Sequence, residues 1–155
     1  MQVRPVESRD VPEVVTLVRD TLAEFGITWG VGAATDTQLE QLPESYTVAG
    51  GQFFVAVDAG HVIGTAGVFP VEPGVFELRK MYLGPQTRGK GVGQRLFDAC
   101  RAFVITHGGH RIVLDTTEQM TAAIRFYERN GFVRDDTQRR ASRCNRGYRL
   151  ELRNS

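Results

Sequence analysis

Apolar residues recur every three or four positions in three stretches of the chain, which is the spacing of an amphipathic helix. The first stretch covers residues 11–25 and follows Asp10, which is typical of a helix N-cap. The second starts among the glycines of 89–93 and ends at Gly108, and the third covers residues 118–130. The pattern therefore predicts three helices.

Short apolar runs bounded by turn residues predict the strands. These runs are residues 2–5, 53–57, 62–69, 75–83, 112–114, 132–133 and 148–152. Short turn clusters join the second, third and fourth runs, which predicts an antiparallel meander. After residue 83 strands alternate with helices, which predicts parallel pairing. The fold class expected is therefore α+β (mixed α/β) with a central mixed sheet, and residues 27–51 form a loop with a short helix near 36–41.

The composition fits one domain that spans residues 1–155. The chain is 41% hydrophobic and 24% charged, which is typical of a globular protein. Its longest unbroken apolar run, residues 53–57, is far shorter than the roughly 20 residues that cross a bilayer. With two cysteines and no apolar leader segment, we expect a cytoplasmic protein without a membrane partner.

Charge is divided unevenly between the two halves of the chain. Residues 1–77 carry 3 arginines and 11 acidic residues, whereas residues 78–155 carry 16 basic and 7 acidic residues. Such polarity favours an anionic partner for the second half and a cationic one for the first, although two solvated faces would also produce it. No nucleic-acid-binding motif accompanies the arginines, and no histidine has a second ligand at metal spacing. We therefore expect neither nucleic acid nor a metal.

The segment 82–94 carries most of the candidate chemistry. Glycines at 89, 91 and 93 alternate with basic residues where a strand turns into a helix, which is the arrangement of an anion-binding loop. A dinucleotide-binding fingerprint would need a glycine where Gln94 stands. A P-loop fits the spacing from Gly84 to Lys90, but Gly91 replaces the hydroxyl residue that binds magnesium.

Two motifs together resemble the GNAT superfamily of acyl-CoA N-acetyltransferases. The first is Arg88-Gly89-Lys90-Gly91-Val92-Gly93, and the second runs from Ala123-Ile124 through Tyr127 to Gly131-Phe132. The resemblance covers about residues 75–133. It implies a three-layer fold whose central mixed sheet is splayed into a V, with helices on both sides. It also implies acetyl-CoA as acetyl donor and direct transfer to a primary amine in a ternary complex.

The resemblance assigns the cofactor-binding residues. The strand before the loop would hold the pantetheine arm and the loop amides would hold the pyrophosphate. These residues are Met81, Tyr82, Leu83, Arg88, Gly89, Lys90, Gly91, Val92, Gly93, Gln94 and Met120. Met120 stands where the family often has Asn, so we expect no side-chain hydrogen bond to the arm there.

Two residues are candidates for catalysis. Tyr127 matches the family tyrosine that protonates the coenzyme sulfur, although its place on the apolar face of a helix also fits packing alone. Glu77 matches a position where some members carry a general base, and burial would favour its taking up a proton. A simple ion pair of Glu77 with Arg79 or Lys80 is the alternative.

The acceptor side is the least determined part of the sequence. Four acidic residues flank the loop that would border it, which predicts a negative potential and a cationic amine; they are Glu24, Asp36, Glu40 and Glu44. Trp29 either walls the pocket or anchors the loop. The loop between the last two predicted strands contains four arginines, which we expect to be exposed to solvent and to lie near a homodimer contact; they are Arg139, Arg140, Arg143 and Arg146. Alternatives to the enzyme are a P-loop-like nucleotide-binding domain and a non-catalytic acyl-CoA sensor.

Overall fold

One seven-stranded sheet organises the chain in a computed structural model that describes residues 1–152. The strands are β1 (Gln2–Pro5), β2 (Gln52–Asp58), β3 (His61–Glu72), β4 (Val75–Leu83), β5 (Arg111–Thr116), β6 (Val133–Arg134) and β7 (Arg146–Glu151). Their order in the sheet is β1-β2-β3-β4-β5-β7-β6. The last three residues of the predicted 1–155 domain lie outside the described residues.

The pairing confirms the predicted mixed sheet. Strands β1 to β4 form an antiparallel meander, and β4 pairs with β5 in parallel. The parallel ladder has three residue pairs and ends at Glu77 opposite Val113, while β5 continues alongside β7. Beyond Glu77, β4 and β5 separate, so the sheet opens into the predicted V at the carboxyl end of β4.

Helices cover both faces of the sheet. They are α1 (Val11–Glu24), α2 (Glu44–Thr47), α3 (Val92–Thr106) and α4 (Thr121–Arg129), with 3-10 segments at Ser8–Asp10, Ala34–Gln41, Pro85–Thr87 and Asp136–Gln138. Alternate residues of β2 face the two sides: Phe53 packs with α1, whereas Phe54 packs with α3. The predicted three layers are therefore confirmed.

Asp10 is the N-cap residue of α1, as predicted, but its side chain makes no capping hydrogen bond. Asp10 is helical in its backbone, and its carboxylate accepts hydrogen bonds from the Glu7 backbone N–H (2.8 Å) and from the Arg4 guanidinium (2.7 and 3.0 Å). Asp10 therefore ties the turn before α1 to β1. The carboxylate of Glu13 accepts instead from the backbone N–H of Val62.

A bulge in β4 changes the direction of its side chains just after the V opens. Thr65 pairs with Tyr82 and Gly67 pairs with Arg79, so two residues of β4 face one residue of β3. Lys80, in the bulge, has a φ of 54°, which a non-glycine residue adopts only when its surroundings hold it there. The bulge therefore places Lys80 and Met81 beyond Glu77, the last residue of β4 that pairs with β5.

Several smaller predictions concern the cysteines, the histidines and membrane or metal binding. Both cysteines are free thiols, and Cys100 is buried as expected. All three histidines are exposed. Across residues 1–152, no helix has the length and apolar character to cross a bilayer. The same residues contain no group of three or more His, Cys, Asp or Glu side chains placed to hold a metal ion.

Candidate active site

Two cavities lie on either side of the open V. The larger cleft, of about 420 Å³, lies between the end of β4, the loop before α3, and α4. The smaller cavity, of about 240 Å³, lies between β4, β5 and two loops, residues 27–35 and 139–145. Four residues line both cavities: Met81, Tyr82, Met120 and Tyr127. These four residues therefore mark a junction between the two spaces.

The larger cleft is bordered by the start of α3 and by the loop that precedes it. Gly89 and Gly91 have φ values of 76° and 80°, a left-handed conformation that favours glycine, and a Cβ at either would have no neighbour within 4 Å. The first hydrogen bond of α3 runs from the Arg95 N–H to the Gly91 carbonyl, and no side chain caps the helix. The N–H groups before Arg95 are therefore free to bind phosphate oxygens.

Three arginines surround the larger cleft: Arg88, Arg125 and Arg129. The Arg88 guanidinium makes two hydrogen bonds of 2.8 Å with the carboxylate of Glu24, which lowers the pKa of Glu24 from its usual range. This pair joins α1 to the loop. The other two arginines lie one turn apart on α4 and add positive charge beside the cleft.

The predicted cofactor-binding residues divide into two groups. The cleft is lined by seven of them: Met81, Tyr82, Leu83, Arg88, Gly89, Gly93 and Met120. The remaining four, Lys90, Gly91, Val92 and Gln94, do not line it. The Val92 side chain is buried in the core, and the Gln94 amide donates to Asp98 and Asn130, so neither side chain is directed into the cleft.

Tyr127 stands at the junction. It is buried, it packs against Phe126 and Phe132, and it lines both cavities. Burial raises the pKa of its hydroxyl above the usual value, and the nearby Tyr82 and Cys144 act in the same direction. The hydroxyl is therefore protonated at neutral pH, which suits a proton donor.

Glu77 lies in the smaller cavity, at the last parallel pair between β4 and β5. One carboxylate oxygen, Oε1, accepts a hydrogen bond from Nε of Arg79, so the ion pair considered from the sequence is present. The other oxygen, Oε2, is buried and has no hydrogen-bond partner within residues 1–152. Glu77 therefore combines a structural ion pair with an oxygen that is free to accept a proton from a ligand.

A buried ion cluster supports the smaller cavity from behind. The Asp36 carboxylate accepts hydrogen bonds from Lys80, from both terminal nitrogens of Arg143 (2.7 and 3.0 Å) and from the Gly30 N–H (2.8 Å). Burial acts to raise the pKa of Asp36, but hydrogen bonds from Arg143 and Lys80 outweigh it, so the pKa is lowered. The cluster holds the bulge of β4 and the loop of Arg143 together.

Hydrogen bonds also fix the loop that carries Arg140. The Asp115 carboxylate accepts from the backbone N–H groups of Arg140 (2.7 Å) and Ala141 (2.8 Å). Farther along, the N–H of Arg143 donates to the Gly32 carbonyl. The two loops that wall the cavity are therefore joined to each other and to β5.

The structure corrects two charge-based expectations. Asp36 does not give the acceptor side a negative potential, because it is fully buried and paired with two cations. Glu24 forms an ion pair with Arg88, which lines the larger cleft. Neither Glu40 nor Glu44 lines the smaller cavity. The smaller cavity is lined by four cationic side chains, Arg79, Lys80, Arg140 and Arg143, and two carboxylates, Glu77 and Asp115.

The arginine connection is likewise not simply solvated. Arg143 is 14% exposed and bound to Asp36, and Arg140 lines the smaller cavity. Trp29 is half-buried in the core cluster of α1 beneath the guanidinium of Arg19, so it anchors its loop and does not line either cavity. Sequence reasoning missed Thr117 and Cys144 as cavity residues, because no periodicity links them to the motifs.

Comparisons with known proteins identify the family. The sequence profile of the Acetyltransferase (GNAT) family matches residues 16–132, which is most of the chain. The chain belongs to the GNAT family of acetyltransferases. The resemblance seen in the two motifs is thus confirmed, and a GNAT acetyltransferase is an acyltransferase enzyme. The P-loop alternative loses its support, since the GNAT family profile covers the segment from Gly84 to Lys90 that suggested it.

Individual relatives agree with this GNAT assignment. The chain is 32% identical over 137 residues to the uncharacterized N-acetyltransferase YjgM of Escherichia coli K12, covering 86% of this chain and 82% of that protein. Its fold matches a GNAT-family acetyltransferase of Staphylococcus aureus MU50 with a TM-score of 0.90, at 22% identity over 98% and 99% of the two chains. It also matches yncA of Salmonella typhimurium, a structure with its cofactor acetyl-CoA, with a TM-score of 0.79, at 20% identity over 100% and 95%.

Proposed function

We propose that the protein transfers the acetyl group of acetyl-CoA to a primary amine, directly and within a ternary complex. The observation that carries this proposal is the junction of two cavities at Tyr127. One cavity has an anion-binding loop and the other has a free carboxylate oxygen. Donor and acceptor would each occupy one cavity and meet beside a protonated hydroxyl.

The larger cleft fits acetyl-CoA on three counts. The free N–H groups at the start of α3 suit a pyrophosphate, and Arg125 and Arg129 add positive charge. Because β4 and β5 separate after Glu77, the β5 side of β4 has no paired strand from Met81 to Leu83. The extended pantetheine arm of acetyl-CoA would lie along this edge. The thioether of Met120 offers no amide, so the arm would rely on backbone groups. When bound, acetyl-CoA supplies a thioester carbonyl and a thiolate leaving group.

Glu77 is our candidate general base. As the acceptor nitrogen forms its bond to the acetyl carbon, it must release one N–H proton. Oε2 of Glu77 is buried and has no hydrogen-bond partner within residues 1–152, Glu77 lines the smaller cavity, and Arg79 binds the other carboxylate oxygen, Oε1. These features suit Glu77 to accept that proton.

Tyr127 is our candidate general acid. The carbon–sulfur bond breaks as the carbon–nitrogen bond forms, and the thiolate takes a proton from the Tyr127 hydroxyl. Return of the proton from Glu77 to Tyr127 through solvent restores both residues. The products are then an N-acetylated amine and the free CoA thiol, so atoms and charges balance.

Cys144 supports direct transfer rather than an acyl-enzyme route. It is the cysteine that lines the smaller cavity, so it would be the natural acyl carrier. Burial and the nearby Asp115 raise the pKa of its thiol to about 12. Because only the thiolate is an effective nucleophile, Cys144 is a poor one at neutral pH.

Release of CoA tests the proposed function. The purified chain is mixed with acetyl-CoA and a panel of primary amines, and free thiol and acetylated product are measured. We expect amine-dependent release, and we expect Glu77→Gln to lower kcat about 100-fold, with partial recovery at high pH, where hydroxide can accept the proton that the attacking nitrogen releases. Glu72→Gln, at the exposed end of β3, is the matched control. Tight acetyl-CoA binding without turnover on any amine would favour the acyl-CoA sensor.

A further inference from the structure

The smaller cavity contains two buried polar atoms that lack a hydrogen-bond partner. They are Oε2 of Glu77 and Oγ1 of Thr117, and this statement covers residues 1–152. A buried polar group without a partner costs about 1–3 kcal/mol, so a native structure seldom keeps one without a ligand or water to satisfy it. Two such atoms on residues that line one cavity leave capacity there for a polar ligand or for water.

Arg140 is a cation of this cavity whose guanidinium keeps unpaired hydrogen-bond donors. Its Nη1 contacts the Gln138 carbonyl at 3.0 Å and lies 3.7 Å from Oε2 of Glu77. All side-chain contacts of Arg140 in the described part of the chain use Nη1, so Nε and Nη2 are free. The side chain is 35% exposed, which leaves room for an incoming anion.

The other three cations of the cavity are already bound to protein carboxylates. Arg79 is bound to Glu77 and stacks on the ring of Phe69, and Lys80 and Arg143 are bound to Asp36. The lining residues together with Asp36 carry four positive and three negative charges. The one positive charge in excess is therefore that of Arg140, which can bind an anionic ligand.

Glu77 and Arg140 thus present opposite charges side by side without a hydrogen bond between them. The 3.7 Å between Oε2 and Nη1 exceeds hydrogen-bond distance, so each group keeps capacity for a ligand. A molecule that matches both has an amine and an anionic group close together. Carboxylates are bound especially well by guanidinium, through two parallel hydrogen bonds.

We propose that the acceptor is a small amino carboxylate, whose amine faces Oε2 of Glu77 and whose carboxylate binds Arg140. The inference rests on the proposed function and specifies its acceptor. It replaces the cationic amine expected from the acidic first half of the sequence. In the transfer step the amine gains the acetyl group and gives up one proton, and the carboxylate of the acceptor is unchanged.

The dimensions of the cavity favour a free amino acid. Its volume is about 240 Å³, and small side chains, Ala33, Ala34 and Ala141, form part of its wall. Such a space suits an acceptor of amino-acid size better than an aminoglycoside. A peptide N-terminus, a protein lysine and a polyamine lack a carboxylate beside the reacting amine.

Arg140 is held in position before any ligand arrives. Its backbone N–H is bound by Asp115, and the same loop is tied to Asp36 through Arg143. Ordering a loop on binding reduces affinity, so this rigidity favours Arg140 as an acceptor-binding residue.

Paired acceptors test the inference. The kcat/KM of CoA release is compared for a set of α-amino acids and for the corresponding amino-acid amides, which keep the amine and lose the carboxylate charge. We expect the acids to exceed the amides at least tenfold. Arg140→Gln should raise KM for the acids at least tenfold more than KM for the amides, and Arg140→Lys should restore part of the difference. Arg139→Gln, the exposed neighbour, is the control.

The possible outcomes separate the two proposals. Equal kcat/KM for acids and amides in the wild-type protein overturns this inference even if no variant folds. An Arg140→Gln protein that binds acetyl-CoA normally and keeps its preference for acids overturns it as well. Release of CoA with no acceptor at all contradicts the proposed function itself.

Discussion

Replacing Asp36 by Asn removes the carboxylate that holds two buried cations. Asp36 is fully buried, and the side chains of Lys80 and Arg143 are 5% and 14% exposed. Asn has nearly the same shape, so the substitution changes charge more than volume. It leaves both cations without their partner and turns one acceptor atom into a donor that faces them.

The expected cost follows from this burial. Breaking a buried ion pair by removing one partner costs about 3–5 kcal/mol. Asn can still accept the hydrogen bond from the Gly30 N–H, so we expect the lower end, about 3 kcal/mol. For a domain of this length, 1 kcal/mol shifts Tm by about 2–4 °C, which predicts a fall of about 6–12 °C.

Urea unfolding and thermal unfolding of the variant measure this cost. The matched control is Asp20→Asn on the exposed face of α1, which should change the free energy of unfolding by less than about 0.5 kcal/mol. The double variant Asp36→Asn/Lys80→Met should lose less unfolding free energy than the sum of the two single variants. Met replaces one of the two buried cations that Asp36→Asn leaves without a partner. If Asp36→Asn is as stable as the control, the cluster does not hold the cavity together.

Three further predictions concern pH, the phosphate loop and the thiol. Because the pKa of Asp36 is lowered in the folded protein, the unfolding free energy should fall as pH drops below about 4, and Asp36→Asn should show a shallower fall in urea titrations from pH 6 to 3. Gly91→Asp should weaken acetyl-CoA binding at least tenfold more than Gly91→Asn in calorimetry, since both variants strain the same φ of 80° and only Asp adds negative charge; equal affinities would remove the loop from the donor site. Cys144→Ser should keep kcat within about twofold, and loss of activity would instead indicate an acyl-enzyme route.

The regular part of the fold was predictable from the sequence because its signals are local. Apolar spacing located α1 and α3, and alternation located the strands of the meander. The glycines of the loop before α3 and Tyr127 were visible because each sits in a contiguous motif. The start of α4 was placed three residues early, because Glu118 is held outside the helix by the Asn145 side chain, which accepts from its N–H.

The walls of the smaller cavity were not predictable in the same way. Arg143 lies 107 residues from Asp36, and both belong to irregular segments without periodicity. The bulge at Lys80 was a second obstacle to prediction. Alternation of residues along β4 does not reveal a bulge, so it does not show which side chains the bulge turns to the other face. The charge of the acceptor side was therefore misjudged from the acidic residues of the first half, while the arginines that line the cavity come from the second.

The most direct test of the account is the rate of CoA release by Tyr127→Phe. Tyr46→Phe is the control, because Tyr46 is also buried, its hydroxyl has no hydrogen-bond partner within residues 1–152, and it lines neither cavity. With an acceptor that the wild-type protein uses, and under conditions where chemistry limits the rate, Tyr127→Phe should lower kcat about 100-fold or more without changing acetyl-CoA affinity. Tyr46→Phe should behave as wild type. An unchanged kcat in Tyr127→Phe would show that the hydroxyl at the junction of the two cavities only packs the core.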